Sequence, residues 1–383
     1  MPAQGGKSLT NPVPSFLYER ARTVQLTHKN HHPLRYAAAA VVLAIGVGVS
    51  GCSASAAGPE TTPESLVLVT HDSFNLGKGT LEKFTKQTGI TVDVQAAGDA
   101  GELVNKMVLT KDSPLGDVVF GIDNTFASRA ASEGVLEKYV SKDLTSAEDP
   151  YLLPAASGGA ELTPIDYGDV CVNVDHEWFA KAGIAEPVTL DDLTKPEYKN
   201  LFVAPAANAS SPGLAFLLAT ISKYGADGWQ DYWKKLVANG IKIDGGWSDA
   251  YYVDFSGPSS TGDRPLVVSY ASSPPSEVKA GATTAPTGAL LDTCFRQVEY
   301  SGVIAGTRYP TAAKKLVDFL LSVDVQNDVP ENMYVFPVNP EATLPATWSK
   351  FAKVADKPFV ISPAEIDKNR TSWLADWAAI ATP

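Results

Sequence analysis

Short apolar runs alternate with segments of helical periodicity from residue 65 onward, and this alternation restricts the possible folds more than any other feature of the sequence. The first run, SLVLV, has the length of a buried strand, and the helix-type segment after it ends at Gly89. Short strands separated by helices of about ten residues are typical of a parallel sheet covered by helices. The elements predicted in this part of the chain are strands at 65–69, 90–94 and 117–120 and helices at 79–87, 102–110 and 125–134.

The chain has 383 residues, which exceeds the usual size of one domain. A segment rich in Pro, Gly, Ala and Ser at 149–164 indicates a crossing into a second lobe, and the apolar run 266–270 indicates the return. We therefore predict a two-lobed α/β protein, each lobe a mostly parallel sheet covered by helices, with a ligand cleft between the lobes. The predicted boundaries are a signal segment at 1–51, a tether at 52–64, lobe 1 at 65–165, lobe 2 at 166–269, a return to lobe 1 at 270–325 and a C-terminal segment across both lobes at 326–383.

Three loops are predicted at the carboxyl ends of the first strands, where ligands bind in sheets of this kind. They carry Asp72, Asp99 and Asp123. Asp99 and Asp123 are candidates for ligand binding, because a carboxylate accepts hydrogen bonds and complements a positive charge. Asp123, and Asp166 further along the chain, suit helix caps and turns equally well, so a structural role for them stays open.

An aromatic stretch, GGWSDAYY at 245–252, is the strongest candidate for ligand recognition. Ser248 follows Trp247 and can cap a helix start, which leaves backbone N–H groups free for a ligand. Together with Tyr270 downstream, the rings offer flat faces for a planar, cationic small molecule. The alternative is that these rings fill a hydrophobic core.

The amino-terminal region has the features of a bacterial lipoprotein signal. Basic residues precede an uncharged run at 36–49, which is too short for a comfortable membrane span. Small residues and Cys52 follow, and then a linker of small and polar residues at 53–63. This order predicts cleavage before Cys52, lipidation of its thiol, and anchoring to the outer face of the cytoplasmic membrane. A buried helix with an ordinary buried cysteine is the alternative.

Charge and cysteine content narrow the class of protein. The net charge of −12 at pH 7 argues against nucleic acid and against an anionic membrane surface as partners, and it is compatible with a cationic ligand. Two cysteines remain beyond the signal segment, Cys171 and Cys294, and an exported protein permits a disulfide between them. Two unpaired buried cysteines suit the sequence nearly as well, so the choice stays open.

A series of segments resembles a known family when they are taken in order. They are HDSF at 71–74, GIDN at 121–124, DYG at 166–168, SSPGL at 210–214, GWSDAY at 246–251, LVVSY and SSP within 266–274, and 332–338. Together they resemble the thiamine-binding component of bacterial ABC importers, which has the type II periplasmic-binding-protein fold. The resemblance covers essentially the whole chain beyond Cys52. It implies an exported, monomeric binding protein, without enzymatic activity or cofactor, that delivers its ligand to a permease and an ATPase.

The resemblance also implies roles for particular residues. In the family the two rings of thiamine lie between aromatic side chains, and thiamine phosphates are further ligands. His71 stands where a tyrosine is common and Ala100 where a glycine is, but an imidazole can still stack and form hydrogen bonds, so His71 is kept as a ligand-binding candidate. The other matching residues are Trp247, Tyr270 and Tyr334 as an aromatic clamp and Asp99, Ser211, Gly213 and Ser248 for polar and phosphate groups.

Other functions fit parts of the sequence. Adjacent Tyr251 and Tyr252 with His71 resemble the ligands of iron-binding relatives, since hard Fe(III) prefers oxygen donors. A sugar, a polyamine or another organic cation also stays open as the ligand. A hydrolase would need a catalytic triad, but only His71 and His176 lie beyond the signal segment, and neither a Gly-x-Ser-x-Gly nor a His-Glu-x-x-His motif occurs. We therefore predict thiamine binding, with ferric-iron binding as the alternative.

Overall fold

The computed structural model describes residues 61–381, so the predicted signal segment and Cys52 lie outside the described residues. No helix in the described part of the chain is long and apolar enough to cross a membrane. The strands are β1 (Ser65–Thr70), β2 (Thr91–Ala96), β3 (Val118–Asp123), β4 (Leu162–Asp175), β5 (Phe202–Pro205), β6 (Lys242–Asp244), β7 (Leu266–Tyr270), β8 (Thr287–Val303) and β9 (Phe336–Pro337). The helices are α1 (Thr80–Thr88), α2 (Ala100–Leu109), α3 (Ala127–Ser132), α4 (His176–Ala182), α5 (Ser211–Tyr224), α6 (Trp229–Ala238), α7 (Trp247–Asp249), α8 (Pro310–Leu321), α9 (Val323–Gln326), α10 (Val329–Met333), α11 (Ala346–Phe351) and α12 (Pro363–Ala381).

The strands form one mixed sheet in the order β2-β1-β3-β8-β4-β7-β5-β6, and β9 pairs with β4. At one end β1 lies parallel to β2 and β3, and at the other end β5 lies parallel to β6 and β7. The middle of the sheet is the antiparallel pair β4 and β8. The predicted α/β class is confirmed, and the central antiparallel pair is the feature that links its two parallel ends.

The strands β4 and β8 are much longer than the sequence predicts. The strand-like runs that the sequence indicates here are 169–174 and 294–301, and the structure extends them to 162–175 and 287–303, across polar residues such as Asp166 that obscure the pattern. Asp169 on β4 has its partner on the neighbouring strand: Arg296 on β8 donates from Nη2 to Oδ2 of Asp169 at 3.2 Å. Charged residues inside a strand are tolerated where the neighbouring strand supplies the partner.

A disulfide bond joins Cys171 on β4 to Cys294 on β8. Both cysteines are buried. The question that the sequence leaves open is thus decided in favour of pairing. The bond fixes to each other the two strands that run through the middle of the sheet, and it closes a loop of 123 positions that the unfolded chain would otherwise sample freely.

The last helix, α12, contacts both ends of the molecule. Trp377 packs edge-on against Trp233 of α6, with ring centroids 5.7 Å apart. Arg370 donates from Nη1 to the carbonyl oxygen of Thr125, in the loop after β3, at 2.9 Å. The helix α12 therefore fixes the position of α6 relative to the loop after β3.

Candidate functional site

A cavity of about 360 Å³ lies between the loops that follow β1 and β2 and the segment that contains α7. Pockets that bind small organic molecules have volumes of roughly 300–1,000 Å³, so this cavity has room for one small ligand. Its sides differ in chemistry, and we call them the aromatic wall and the acidic wall. The aromatic wall consists of Trp247, Tyr252, Tyr270 and Tyr334, and the acidic wall consists of His71, Asp72, Asp99 and Glu299.

Trp247 is the central ring of the aromatic wall, and contacts behind it fix its orientation. Its Nε1–H donates to Oγ of Ser269 at 3.0 Å. Its ring stacks on Tyr251 with centroids 5.0 Å apart and an interplanar angle of 19°. Tyr251 in turn donates its hydroxyl to Oε1 of Glu277 at 2.9 Å. The indole is therefore held in place by the protein, and 7% of its surface remains exposed toward the cavity.

The other rings surround Trp247 from different elements. Tyr252 stands edge-on to Trp247, with centroids 5.4 Å apart, and is 38% exposed. Tyr270 ends β7 and also lies edge-on to the indole. Tyr334 follows α10 in the left-handed backbone region, with φ of 60°, which residues other than glycine rarely adopt. Ser272 Oγ donates to the carbonyl oxygen of Tyr334 at 2.7 Å, and this bond supports the unusual backbone beside the cavity.

Asp99 connects the acidic wall to the aromatic wall. It caps α2, with Oδ1 accepting the N–H of Ala100 at 2.7 Å, and its Oδ2 accepts the N–H of Trp247 at 3.2 Å. Ser248 was expected to cap the start of α7, and this expectation was wrong. Ser248 makes no capping bond, and Asp99 from the opposite wall accepts the N–H of Trp247, the first residue of α7. The Ser248 hydroxyl instead lies 3.4 Å from the hydroxyl of Ser73 across the cavity mouth.

His71 lies deep in the acidic wall. Its Nδ1 accepts the N–H of Ser73 at 3.1 Å, and its Nε2 lies 3.6 Å from Oε2 of Glu299. Gly121, at the irregularity in β3, makes room for the ring: it has φ of 94°, and a Cβ atom there would lie 2.0 Å from Cδ2 of His71. Any larger residue at Gly121 would displace the imidazole.

The charges around His71 favour its protonated form. Burial would lower the pKa of His71, but the carboxylates of Glu299, Asp99 and Asp72 outweigh burial and raise the pKa above its ordinary value. The carboxylates of the acidic wall therefore favour a positive charge beside them, and the imidazole of His71 is a group in this wall that can carry one.

Glu299 occupies the middle of a row of three carboxylates on adjacent strands. It lies opposite Asp123 in the pairing of β3 with β8 and opposite Asp166 in the pairing of β4 with β8. Burial and the neighbouring Glu299 raise the pKa of Asp166 well above its usual range. Burial alone would raise the pKa of Glu299, but His71 and Asp166 outweigh it and lower the pKa. Glu299 is thus the ionised member that faces the cavity.

Most residues predicted from the sequence meet in this cavity. Those that line it are His71, Asp99, Ser211, Trp247, Ser248, Tyr270 and Tyr334. The structure places two others outside its lining. Oδ1 of Asp123 accepts the N–H groups of Thr125 and Phe126, so this carboxylate shapes the turn after β3. Gly213 provides close packing, since a Cβ atom there would lie 2.5 Å from the carbonyl oxygen of Pro205.

Sequence reasoning missed Glu299, which the structure places in the acidic wall. A single carboxylate inside an apolar strand was the available signal. Such a residue is costly to bury unless it has partners, and here the partners come from residues distant in sequence. The other lining residues that sequence reasoning left unassigned are Phe74, Asn75, Pro212, Asn332, Met333 and Val335.

The iron ligands proposed from the sequence do not converge. Tyr252 and His71 line the cavity, but Tyr251 lies behind Trp247 with its hydroxyl bonded to Glu277. Within residues 61–381 no group of three or more His, Cys, Asp and Glu side chains is placed to hold a metal ion. This arrangement favours an organic ligand over Fe(III).

A small-molecule cavity in an α/β protein whose sheet has a parallel part at each end is typical of a class of ligand-binding proteins. Family comparison assigns the class: the model for bacterial extracellular solute-binding proteins matches residues 113–362, and the chain belongs to this family. A thiamine-binding periplasmic protein of Escherichia coli K12 is 27% identical over 317 residues, covering 82% of this chain and 92% of the relative. One of Brucella suis is 27% identical over 323 residues, with the same shares covered.

Solved structures agree with the family. A periplasmic thiamin binding protein is similar with a TM-score of 0.71 and 26% identity, covering 83% of this chain and 96% of the other. A ferric binding protein from Campylobacter jejuni has a TM-score of 0.64 and 18% identity, over 82% of this chain and 99% of the other, which is a likeness of fold alone. The type II periplasmic-binding-protein architecture predicted from the sequence is confirmed.

Proposed function

We propose that this protein binds thiamine outside the cytoplasm and delivers it to an ABC importer. The observation that carries the proposal is the cavity with one aromatic and one acidic wall. Thiamine has the complementary chemistry, because it combines a flat aminopyrimidine with a thiazolium ring of fixed positive charge. The names of the relatives from Escherichia coli and Brucella suis support the same ligand.

The aromatic wall suits the cationic ring. A cation over the face of a desolvated tryptophan or tyrosine gains about 2 kcal/mol. Trp247 is preorganised for such a contact by Ser269 and Tyr251, so little side-chain entropy is lost when a ligand stacks on it. Tyr252 is the most exposed of these rings, so it is accessible to the second ring of the ligand.

The acidic wall suits both the charge and the exocyclic amine of thiamine. Asp99 and Glu299 are carboxylates at the cavity surface, and a carboxylate accepts hydrogen bonds from an amine while complementing the charge of a nearby cation. A neutral sugar would bring no positive charge to this wall. The electrostatics therefore favour an organic cation.

Thiamine phosphates are included in the proposal. Ser211 and Pro212, at the start of α5, line the cavity, and no side chain caps this helix. A free helix start binds phosphate through its N–H groups and its dipole. Asp99 and Asp123 lie near this end of the cavity, and their negative charge opposes a phosphate, so we expect thiamine itself to bind at least as tightly as its esters.

The route of delivery completes the proposal. Lipidation of Cys52 would hold the protein at the outer face of the membrane, and the linker 53–63 would let the monomer reach a permease that an ATPase drives. Mass spectrometry of the membrane fraction tests the anchor. A mature chain that begins upstream of Cys52, or that carries no lipid, would contradict this part.

Calorimetry tests the ligand. Thiamine, its mono- and diphosphate, ferric citrate and the aminopyrimidine fragment without the thiazolium are titrated into the purified protein. We expect tight 1:1 binding of thiamine, weaker binding of the neutral fragment and no binding of iron. If the neutral fragment bound as tightly as thiamine, the positive charge would have no role in binding. A coloured iron complex would favour ferric iron as the ligand.

A further inference from the structure

His71 is a titratable group placed against the ligand cavity. It is 7% exposed, and its ring contacts Phe120 with centroids 5.6 Å apart. Gly121 leaves the space in which the imidazole lies. A side chain held this closely by its surroundings cannot turn away when its charge changes.

The hydrogen bonds of His71 fit the neutral ring. The Ser73 N–H donates to Nδ1, so the single proton of the neutral imidazole lies on Nε2, which faces Glu299. A second proton would have to sit on Nδ1, opposite the Ser73 N–H, and that hydrogen bond would be lost. The turn at 71–73 therefore stabilises the uncharged form of His71.

The surrounding charges act in the opposite direction. The carboxylates that face His71 are Glu299 from β8, Asp99 at the start of α2 and Asp72 on the same loop, with Asp123 and Asp166 behind Glu299. No lysine or arginine is among the cavity-lining residues in the described part of the chain. His71 is thus the residue that can supply a positive charge to this wall when the cavity holds no ligand.

We propose that His71 and Glu299 form a proton-exchange pair that selects for cations: a cationic ligand bound beside Glu299 takes the place of the proton on His71. The imidazolium loses the proton from Nδ1 to solvent, and the Ser73 N–H then bonds to the free nitrogen. The charge of the ligand replaces that of the proton, so the acidic wall stays balanced. A neutral ligand offers no such replacement. The identity of the ligand as thiamine rests on the proposed function.

Proton exchange has a measurable consequence. Binding of the cation and binding of the proton oppose each other by the same factor, as linkage requires. Below the pKa of His71, the affinity for the cation is expected to fall by up to about tenfold for each pH unit. The proton released on binding approaches one per ligand in the same range.

The experiment is calorimetry of thiamine binding between pH 5.5 and 8.5 in pairs of buffers with different ionisation enthalpies. The slope of the observed enthalpy against the buffer enthalpy gives the number of protons released. We expect release in the wild type and none in His71→Tyr or His71→Gln, whose affinities should be much less dependent on pH. His176→Gln is the matched control, because His176 also pairs with a glutamate, Glu186 at 2.7 Å, but lies outside this cavity.

The outcomes separate the two proposals. If thiamine does not bind the wild type, the proposed function fails and this inference with it. If thiamine binds without proton release, or if His71→Tyr and His71→Gln release protons as the wild type does, the exchange is overturned while the function stands. Loss of release in His176→Gln would also overturn it. Circular dichroism confirms that each variant is folded.

Discussion

The two walls of the cavity are built by different means. The rings of the aromatic wall rest on buried side chains, since Trp247 is fixed by Ser269 and Tyr251. The acidic wall rests on groups whose charge depends on pH, among them His71 and Glu299. One wall supplies a shape that hardly changes, and the other supplies a charge that responds to what is bound. The aromatic wall selects for a flat ligand, and both walls favour a cation over a neutral ring.

The walls meet at the mouth of the cavity through few contacts. Asp99 accepts the Trp247 N–H, and the hydroxyls of Ser73 and Ser248 lie 3.4 Å apart. Few contacts of this kind would separate more readily than a large buried interface. Changes to either wall should therefore alter affinity more than folding, and changes behind the walls should do the reverse.

The largest effect is expected behind the acidic wall, at Asp123. Burial raises its pKa to about 6, and the hydroxyls of Ser211 and Thr125 limit the rise. The folded protein keeps this proton up to about pH 6, whereas the unfolded chain loses it near pH 4. The free energy of unfolding should therefore fall as pH rises from 4 to 6, by up to about 3 kcal/mol, and then level off.

Asp123→Asn removes this titration. Its amide oxygen can still accept the N–H groups of Thr125 and Phe126, so the turn should persist. Urea unfolding at pH 4 to 8 should show a variant that is more stable than the wild type at pH 7 and lacks the fall between pH 4 and 6. Thiamine affinity should change little, because Asp123 does not line the cavity. A large loss of affinity with unchanged stability would place Asp123 in the binding site after all.

The next effect is expected at the centre of the aromatic wall. Trp247→Ala should weaken thiamine binding by about 2 kcal/mol or more, roughly thirtyfold in Kd, through loss of a stacking anchor. Trp247→Phe keeps a ring and should lose less. Calorimetry gives the affinities, and thiamine should quench the tryptophan fluorescence of the wild type more than that of Trp247→Phe. If Trp247→Ala bound thiamine as tightly as the wild type, the aromatic wall would not be part of the binding site.

The walls also differ in how far the sequence predicts them. Trp247 was predicted because a ring after two glycines and before Ser248 suits a helix start that faces a cavity, and Tyr270 because it matches the aromatic clamp of the family. Glu299 was missed, because its place depends on a strand register that joins it to Asp123 and Asp166, distant in sequence. For Asp123 the sequence left a ligand-binding role and a structural role open, because a carboxylate after a strand has the same pattern whether it caps a turn or faces a cavity.

A smaller effect is expected where the walls meet. Asp99→Asn keeps an oxygen that can cap α2 but removes the charge and weakens the bond to the Trp247 N–H. We expect a loss of affinity for thiamine of about tenfold, near 1.4 kcal/mol, and a smaller loss for the neutral aminopyrimidine fragment. Asp231→Asn, an exposed substitution of the same kind outside the cavity, is the charge control. Equal losses for both ligands would mean that Asp99 acts through geometry alone.

The smallest effect on binding is expected directly behind the aromatic wall, at Tyr251. Tyr251→Phe keeps the ring that stacks on Trp247 and removes only the hydroxyl bonded to Glu277. Thiamine affinity should stay within about 0.5 kcal/mol of the wild type, whereas the free energy of unfolding should fall by about 1–3 kcal/mol, because a buried carboxylate oxygen loses a donor. Calorimetry and urea unfolding measure the two quantities. If the protein instead bound iron through Tyr251 and Tyr252, Tyr251→Phe would reduce metal affinity more than stability. That result would show that Tyr251 turns toward the cavity. Tyr251→Phe therefore tests whether Tyr251 supports the aromatic wall from behind or contacts the ligand itself.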